Sequence, residues 1–184
     1  MPAPIRSAPI CRAPLPLWLI LAASAVTACA PSLNWRDVRV EGSALQLLFP
    51  CKPDVQERRV ALAGPPVRVV LNVCEAGGQT WALALADVAV PARVAPALAA
   101  LQAGAAANVG AQPAAVAPLA VPGATPQTGS GRTRLQGQRG DGQKVQMQTL
   151  VFARGTQVFQ ASVLGAALAE DDVEAYFTSV RLLP

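Results

Sequence analysis

The chain has 184 residues, enough for one domain with a real core but not comfortably for two. Hydrophobic residues make up 52%, but alanine inflates that figure and aromatic residues reach only 4%, so bulky core material is scarce. Setting Arg6 and Arg12 aside with the N-terminal segment described next lowers the net charge from +4 to +2; without a Lys/Arg stripe interleaved with aromatics, nothing here reads as a nucleic-acid interface.

Arg6 and Arg12 precede an apolar stretch from Leu15 to Val26, interrupted only by Pro16 and Ser24, and small residues continue to Cys29. This layout predicts a signal peptide over residues 1–28. A spanning helix needs about 20 apolar residues. This run ends sooner, at the turn-forming Cys29-Ala30-Pro31-Ser32. The tetrapeptide Val26-Thr27-Ala28-Cys29 resembles the lipobox of bacterial lipoproteins. The resemblance implies cleavage before Cys29, diacylglycerol on its thiol and acylation of its freed amine. Each buried CH₂ then contributes about 0.8 kcal/mol, so two or three acyl chains anchor the protein to the membrane essentially permanently. Ala30, where Asp is absent, implies sorting to the outer rather than the inner membrane. The competing reading is an ordinary signal peptide cut at Ala28 or Ala30, leaving a soluble periplasmic protein.

Beyond a tether over residues 29–43, the pattern predicts one α+β domain over 44–183. Leu45, Leu47 and Phe49 alternate with Ala44, Gln46 and Leu48, a half-buried strand ending at Pro50. A second strand is expected over 57–62, stopped by Gly64-Pro65-Pro66. A third follows over 67–74, and Gly77-Gly78 turns the chain into a fourth over 79–87, with Trp81, Leu83 and Leu85 on one face. Residues 92–109 are alanine-rich, and Val94, Leu98 and Leu101 fit one helical stripe. The low-complexity segment 110–131, broken by Pro113, Pro118, Pro122 and Pro126, reads as a long loop. Three antiparallel strands are expected over 133–138, 144–153 and 156–164, with turns at Gly140-Asp141-Gly142 and Arg154-Gly155. A helix over 169–180 follows from Val173, Tyr176, Phe177 and Val180 at i, i+3, i+4 and i+7, and 181–183 can add a short strand. Trp81 reads as core. Trp35, just past the tether, suits either a membrane interface or the end of the sheet.

With Cys11 in the signal and Cys29 the lipid site, Cys51 and Cys74 remain as a pair in an oxidising compartment. A structural disulfide is the favoured reading, over two buried free thiols or a redox pair, because redox sites usually present Cys-x-x-Cys.

The order of strand meander, helix, three-stranded meander and C-terminal helix opens on Leu48-Phe49-Pro50-Cys51-Lys52-Pro53. It closes on Tyr176-Phe177-Thr178-Ser179-Val180-Arg181-Leu182, with Phe159-Gln160-Ala161-Ser162-Val163-Leu164-Gly165 as the late strand. This resembles the PsbP-like α/β/α sandwich family. The resemblance implies that fold and an accessory role beside larger assemblies, and it carries no shared catalytic set.

The chain contains no histidine, which removes Ser-His and Cys-His nucleophile pairs, the usual zinc sets and the commonest general base near neutral pH. Glu170, Asp171, Asp172 and Glu174 fit the first turn of the last helix, where carboxylates favour the macrodipole, better than a calcium loop. Arg139-Gly140-Asp141 reads as a turn, and Arg132, Arg134, Arg139 and Lys144 as a solvated hairpin face. Gly129-Ser130-Gly131 lacks the lysine of a phosphate loop. The expected function is a non-catalytic accessory or protein-binding module of the bacterial envelope, without cofactor or metal and with an envelope protein as partner. The alternative is a small-ligand or lipid-binding module, with an enzyme third.

Overall fold

The computed structural model describes residues 33–184; the expected signal peptide over 1–28 and the expected lipid site Cys29 lie outside them. Strands β1 (Arg36–Arg39) and β2 (Leu45–Phe49) form an antiparallel hairpin. β3 (Asp54–Ala61), β4 (Pro66–Ala76) and β5 (Gln79–Asp87) form a meander. A 3₁₀ turn, Pro91–Arg93, leads into α1 (Val94–Asn108). A second meander, β6 (Gly131–Gln138), β7 (Lys144–Arg154) and β8 (Gln157–Gly165), precedes α2 (Glu170–Thr178) and the short β9 (Arg181–Leu182). The two meanders join through β5 and β8 into a six-stranded sheet of order β3-β4-β5-β8-β7-β6, while β1-β2-β9 form a smaller sheet; every pairing is antiparallel. The fold is α+β.

Period-two alternation decides which side chains meet. One face of the large sheet carries Trp81, Leu83, Leu150, Phe152, Phe159 and Val163, packed against Val173, Tyr176 and Phe177 of α2 and Leu45, Leu47 and Phe49 of β2. The opposite face carries Ala86, Val151, Ala153 and Val158 against Val94, Ala97 and Leu98 of α1. The sheet therefore separates two helices. Scarce aromatics are concentrated on the first face: Trp81 meets Trp35 and Tyr176 edge-on, with centroids 5.6 and 5.2 Å apart, and Phe152 stacks on Phe159 at 4.9 Å. Tyr176 donates its hydroxyl to the Ala82 carbonyl at 2.9 Å, and its complete burial pushes the phenol pKa well above its usual range.

Local chemistry sets the connections. Gly77 and Gly78 both have positive φ, 61° and 71°, which the two-residue β4–β5 turn requires and which only glycine adopts without a Cβ penalty. Pro96 is tolerated because it lies in the first turn of α1, where backbone N–H groups have no intrahelical partner. Arg93 ties that helix start to the β3–β4 turn by donating to the carbonyls of Leu62, Pro65 and Val88. At Gly137 a Cβ would lie 1.8 Å from the Val109 carbonyl oxygen, so glycine is what lets the chain leaving α1 lie against β6.

Three expectations change. The folded part begins ahead of residue 44, inside the expected tether: β1 pairs with β2, Val40 is buried and Trp35 packs on Trp81 rather than standing free for a membrane interface. β3 starts at Asp54, not residue 57, because β4 supplies a partner for every residue back to Val73. α1 buries small residues beside Val94 and Leu98, namely Ala97, Ala105 and Ala106, while Leu101 is only half-buried; alanines let the helix approach the sheet closely. Residues 110–130 carry no regular helix or strand and pack on the domain, while Gly131 already opens β6: Ala117 bridges Arg132, Thr125 bridges Ala153, and Val121 joins the core.

Candidate functional site

The small sheet and α2 cover the β5, β8 and β7 part of one sheet face, but β3 extends past them and is exposed along its whole length. A groove of about 410 Å³ forms where that cover ends. Its floor is set by sheet register: Val55 and Asn72 are cross-strand neighbours on β3 and β4, and Glu57, Val70 and Leu85 form the next row across β3, β4 and β5. The β1–β2 turn, with Glu41 and Gly42, makes the far wall, held by Gln157, whose Nε2 donates to the Gly42 carbonyl at 2.9 Å.

Asn72 is the unusual member. It is 5% exposed in an otherwise apolar strand segment, and its amide nitrogen has no hydrogen-bond partner among the described residues. A buried amide left unpaired costs about 1–3 kcal/mol; the nitrogen itself has almost no accessible surface, so an acceptor in the groove relieves that cost only when the side chain turns its amide outward. The walls are polar. Arg68 donates from Nε, at 2.8 Å, and from Nη2 to the two carboxylate oxygens of Glu57. That hydrogen bond holds the Glu57 carboxyl below its ordinary range and raises Arg68, with Glu41 adding to the latter. Because Glu57 is depressed, the pair's stabilisation is present above the ordinary carboxylate pKa and is lost as pH falls through the lowered value. Asp87 accepts the Ala89 N–H at 2.7 Å, fixing the end of β5. Three carboxylates, Glu41, Glu57 and Asp87, thus face a single guanidinium.

The residues singled out from sequence lie elsewhere. Cys29 is outside the described residues. Cys51 and Cys74 are joined in a disulfide with Cα atoms 6.1 Å apart, bordering the core beneath the small sheet. The acidic and basic groups expected to be separate are brought together. Arg132 is not on a solvated face: its side chain is 12% exposed, it bonds Glu174 and Glu170, donates to Gln148 at 2.9 Å from Nε, and lies 4.8 Å over the Phe177 ring. Arg134 also pairs with Glu170, and Gln148 donates to the same carboxylate at 2.9 Å. The carboxylates of α2 therefore tie the helix to β6 and β7 in addition to favouring its dipole; Ala169 at the N-cap makes no side-chain cap. Arg139-Gly140-Asp141 is a turn in which Asp141 accepts the Gln143 N–H at 3.0 Å.

Sequence reasoning missed the groove. Its one legible signal was an asparagine inside Val69-Val70-Leu71-Asn72-Val73, a polar residue in a run that otherwise reads as core. Comparison with known family models, curated proteins and solved structures finds no match to this chain.

Proposed function

We propose that the chain is a lipid-anchored, non-catalytic binding module of the bacterial envelope, tethered through Cys29 and engaging a protein partner at the groove over Asn72. The observation that carries the binding reading is the buried, unpartnered amide of Asn72 on the floor of a groove open to solvent. A backbone carbonyl from an extended partner segment satisfies that donor once the Asn72 side chain turns its amide toward the groove, and Val55, Val70 and Leu85 offer apolar contact beside it. The space between sheet and α2 is filled by Trp81, Tyr176, Phe49, Phe152, Phe159 and Phe177, each fully buried, which disfavours a lipid-engulfing role. The groove lining offers carboxylates, one guanidinium and amides but no hydroxyl, thiol or amine nucleophile, a set suited to recognition of a polar partner. A small polar ligand with a carbonyl or hydroxyl is the second reading, favoured by the groove's volume, which lies in the usual range for such sites. We read the fold as a PsbP-like α/β/α sandwich, supported by a sheet lying between α1 and α2.

A photo-crosslinking residue in place of Glu41, on the groove wall, tests the site in the full chain within the cell envelope. A discrete adduct with another protein is expected, reduced about tenfold in Asn72→Leu, because an amide hydrogen bond of that kind is worth roughly 1–2 kcal/mol. The same substitution should leave thermal stability unchanged or raise it, since it removes an unsatisfied buried donor. Adduct formation indifferent to Asn72→Leu refutes the site.

The anchor has a separate test. Cells given a fatty-acid analogue should label the wild type, and Cys29→Ala should lose essentially all of that label. Equal incorporation by both refutes lipidation at Cys29.

A further inference from the structure

We propose that two copies of this chain pair edge to edge through β3, continuing the six-stranded sheet across a two-fold axis. β3 is the terminal strand of that sheet, hydrogen-bonded only to β4, and all eight of its residues are exposed. The other terminal strand is partly covered: Arg132 at the start of β6 exchanges hydrogen bonds with Ala117, and the Gln138 N–H donates to Val109. Of the three exposed large hydrophobic residues among the described residues, Val55 and Val60 lie on β3. A two-fold axis normal to the sheet keeps each side chain on its own face. Directly opposed residues must then share parity, so the pairing is centred on a residue.

Only registers centred on Glu57 or Arg58 engage seven of the eight strand residues. The first opposes Glu57 to its own copy and pairs Val60 with Asp54. The second opposes Glu57 to Arg59 twice and Val55 to Ala61 twice on the groove face, with Gln56 against Val60 twice on the other. Opposed unlike charges favour a pairing and like charges disfavour it, which selects the register centred on Arg58. Its one unfavourable pair, Arg58 against its own copy, lies on the opposite face, where long exposed side chains diverge and salt screens them. In each protomer Arg59 donates to the Pro66 carbonyl with one arm, and its guanidinium retains donors for the second copy's Glu57. Each groove wall then gains a second guanidinium beside Glu57, supplied by the other copy. This pairing does not depend on what the groove binds.

The test uses the full chain, co-expressed with two different affinity tags and extracted in mild detergent. Wild-type copies should co-purify. Glu57→Arg alone and Arg59→Glu alone should each reduce co-purification about tenfold, because every substitution turns two attractive pairs into repulsive ones. Co-expressing the Glu57→Arg chain with the Arg59→Glu chain should restore it, since both pairs again oppose unlike charges; that rescue also shows that the single variants fold. In an oxidising envelope Arg58→Cys should link two copies through a disulfide, whereas Val55→Cys, whose copies lie far apart in this register, should not. Absence of wild-type co-purification, failure of the mixed rescue, or equal linking at positions 55 and 58 overturns the proposal.

Discussion

Trp81→Ala is expected to destabilise the domain by about 4 kcal/mol, the range for emptying a fully buried aromatic site. Its side chain has no accessible surface, and removal strips the edge contacts to Trp35 and Tyr176 and the indole hydrogen bond to the Ala76 carbonyl at 3.2 Å. The surroundings are poorly placed to collapse, because β5 is hydrogen-bonded on both sides, to β4 and to β8. Against a typical domain stability of about 5–15 kcal/mol, the loss is large enough to shift a urea midpoint plainly. Trp35→Ala, at the partly buried end of the same contact, should cost roughly a third as much. A Trp81 loss below about 2 kcal/mol would mean that the aromatic cluster is not the centre of the core.

Opening the Cys51–Cys74 disulfide is expected to cost about 3 kcal/mol in the chain-entropy account, for a sequence separation of 23 residues. The bond closes a loop holding all of β3 and most of β4, and it ties the segment after β2 to the large sheet. The check is equilibrium unfolding of the Cys51→Ser/Cys74→Ser double variant beside wild type with and without reductant. Reduced wild type and the double variant should fall together, and a difference under 1 kcal/mol between oxidised and reduced wild type contradicts the expectation. Unequal losses between the two open forms would point to packing of the sulfur atoms rather than to the crosslink.

How much was legible varies by element for identifiable reasons. β5 could be read at full length because the alternation of Trp81, Leu83 and Leu85 with smaller residues is bounded by Gly77-Gly78 and Asp87. α2 was legible through Val173, Tyr176 and Phe177, but its end was overshot: Val180 is buried although the helix stops at Thr178, because the backbone turns there to deliver Arg181 and Leu182 to β2. β1 was missed because four residues of Arg-Asp-Val-Arg carry almost no apolar signal; pairing with β2, not propensity, makes them a strand. The Arg132–Glu170–Glu174 network was invisible because its members lie about forty positions apart and meet only when α2 crosses β6.

The sequence by itself determined the alternation of strands and helices and the turn glycines, since these rest on local periodicity and backbone freedom. It also carries the whole case for an export segment and for lipid on Cys29, which is a matter of short-range chemistry along the chain. Only the tertiary structure decided that the two meanders join through β5 and β8, leaving β3 as a bare edge, and that the cover over one sheet face stops short of Asn72. Strand order is a property of long-range pairing, and a groove exists where one layer ends before another; neither is encoded in any window of neighbouring residues.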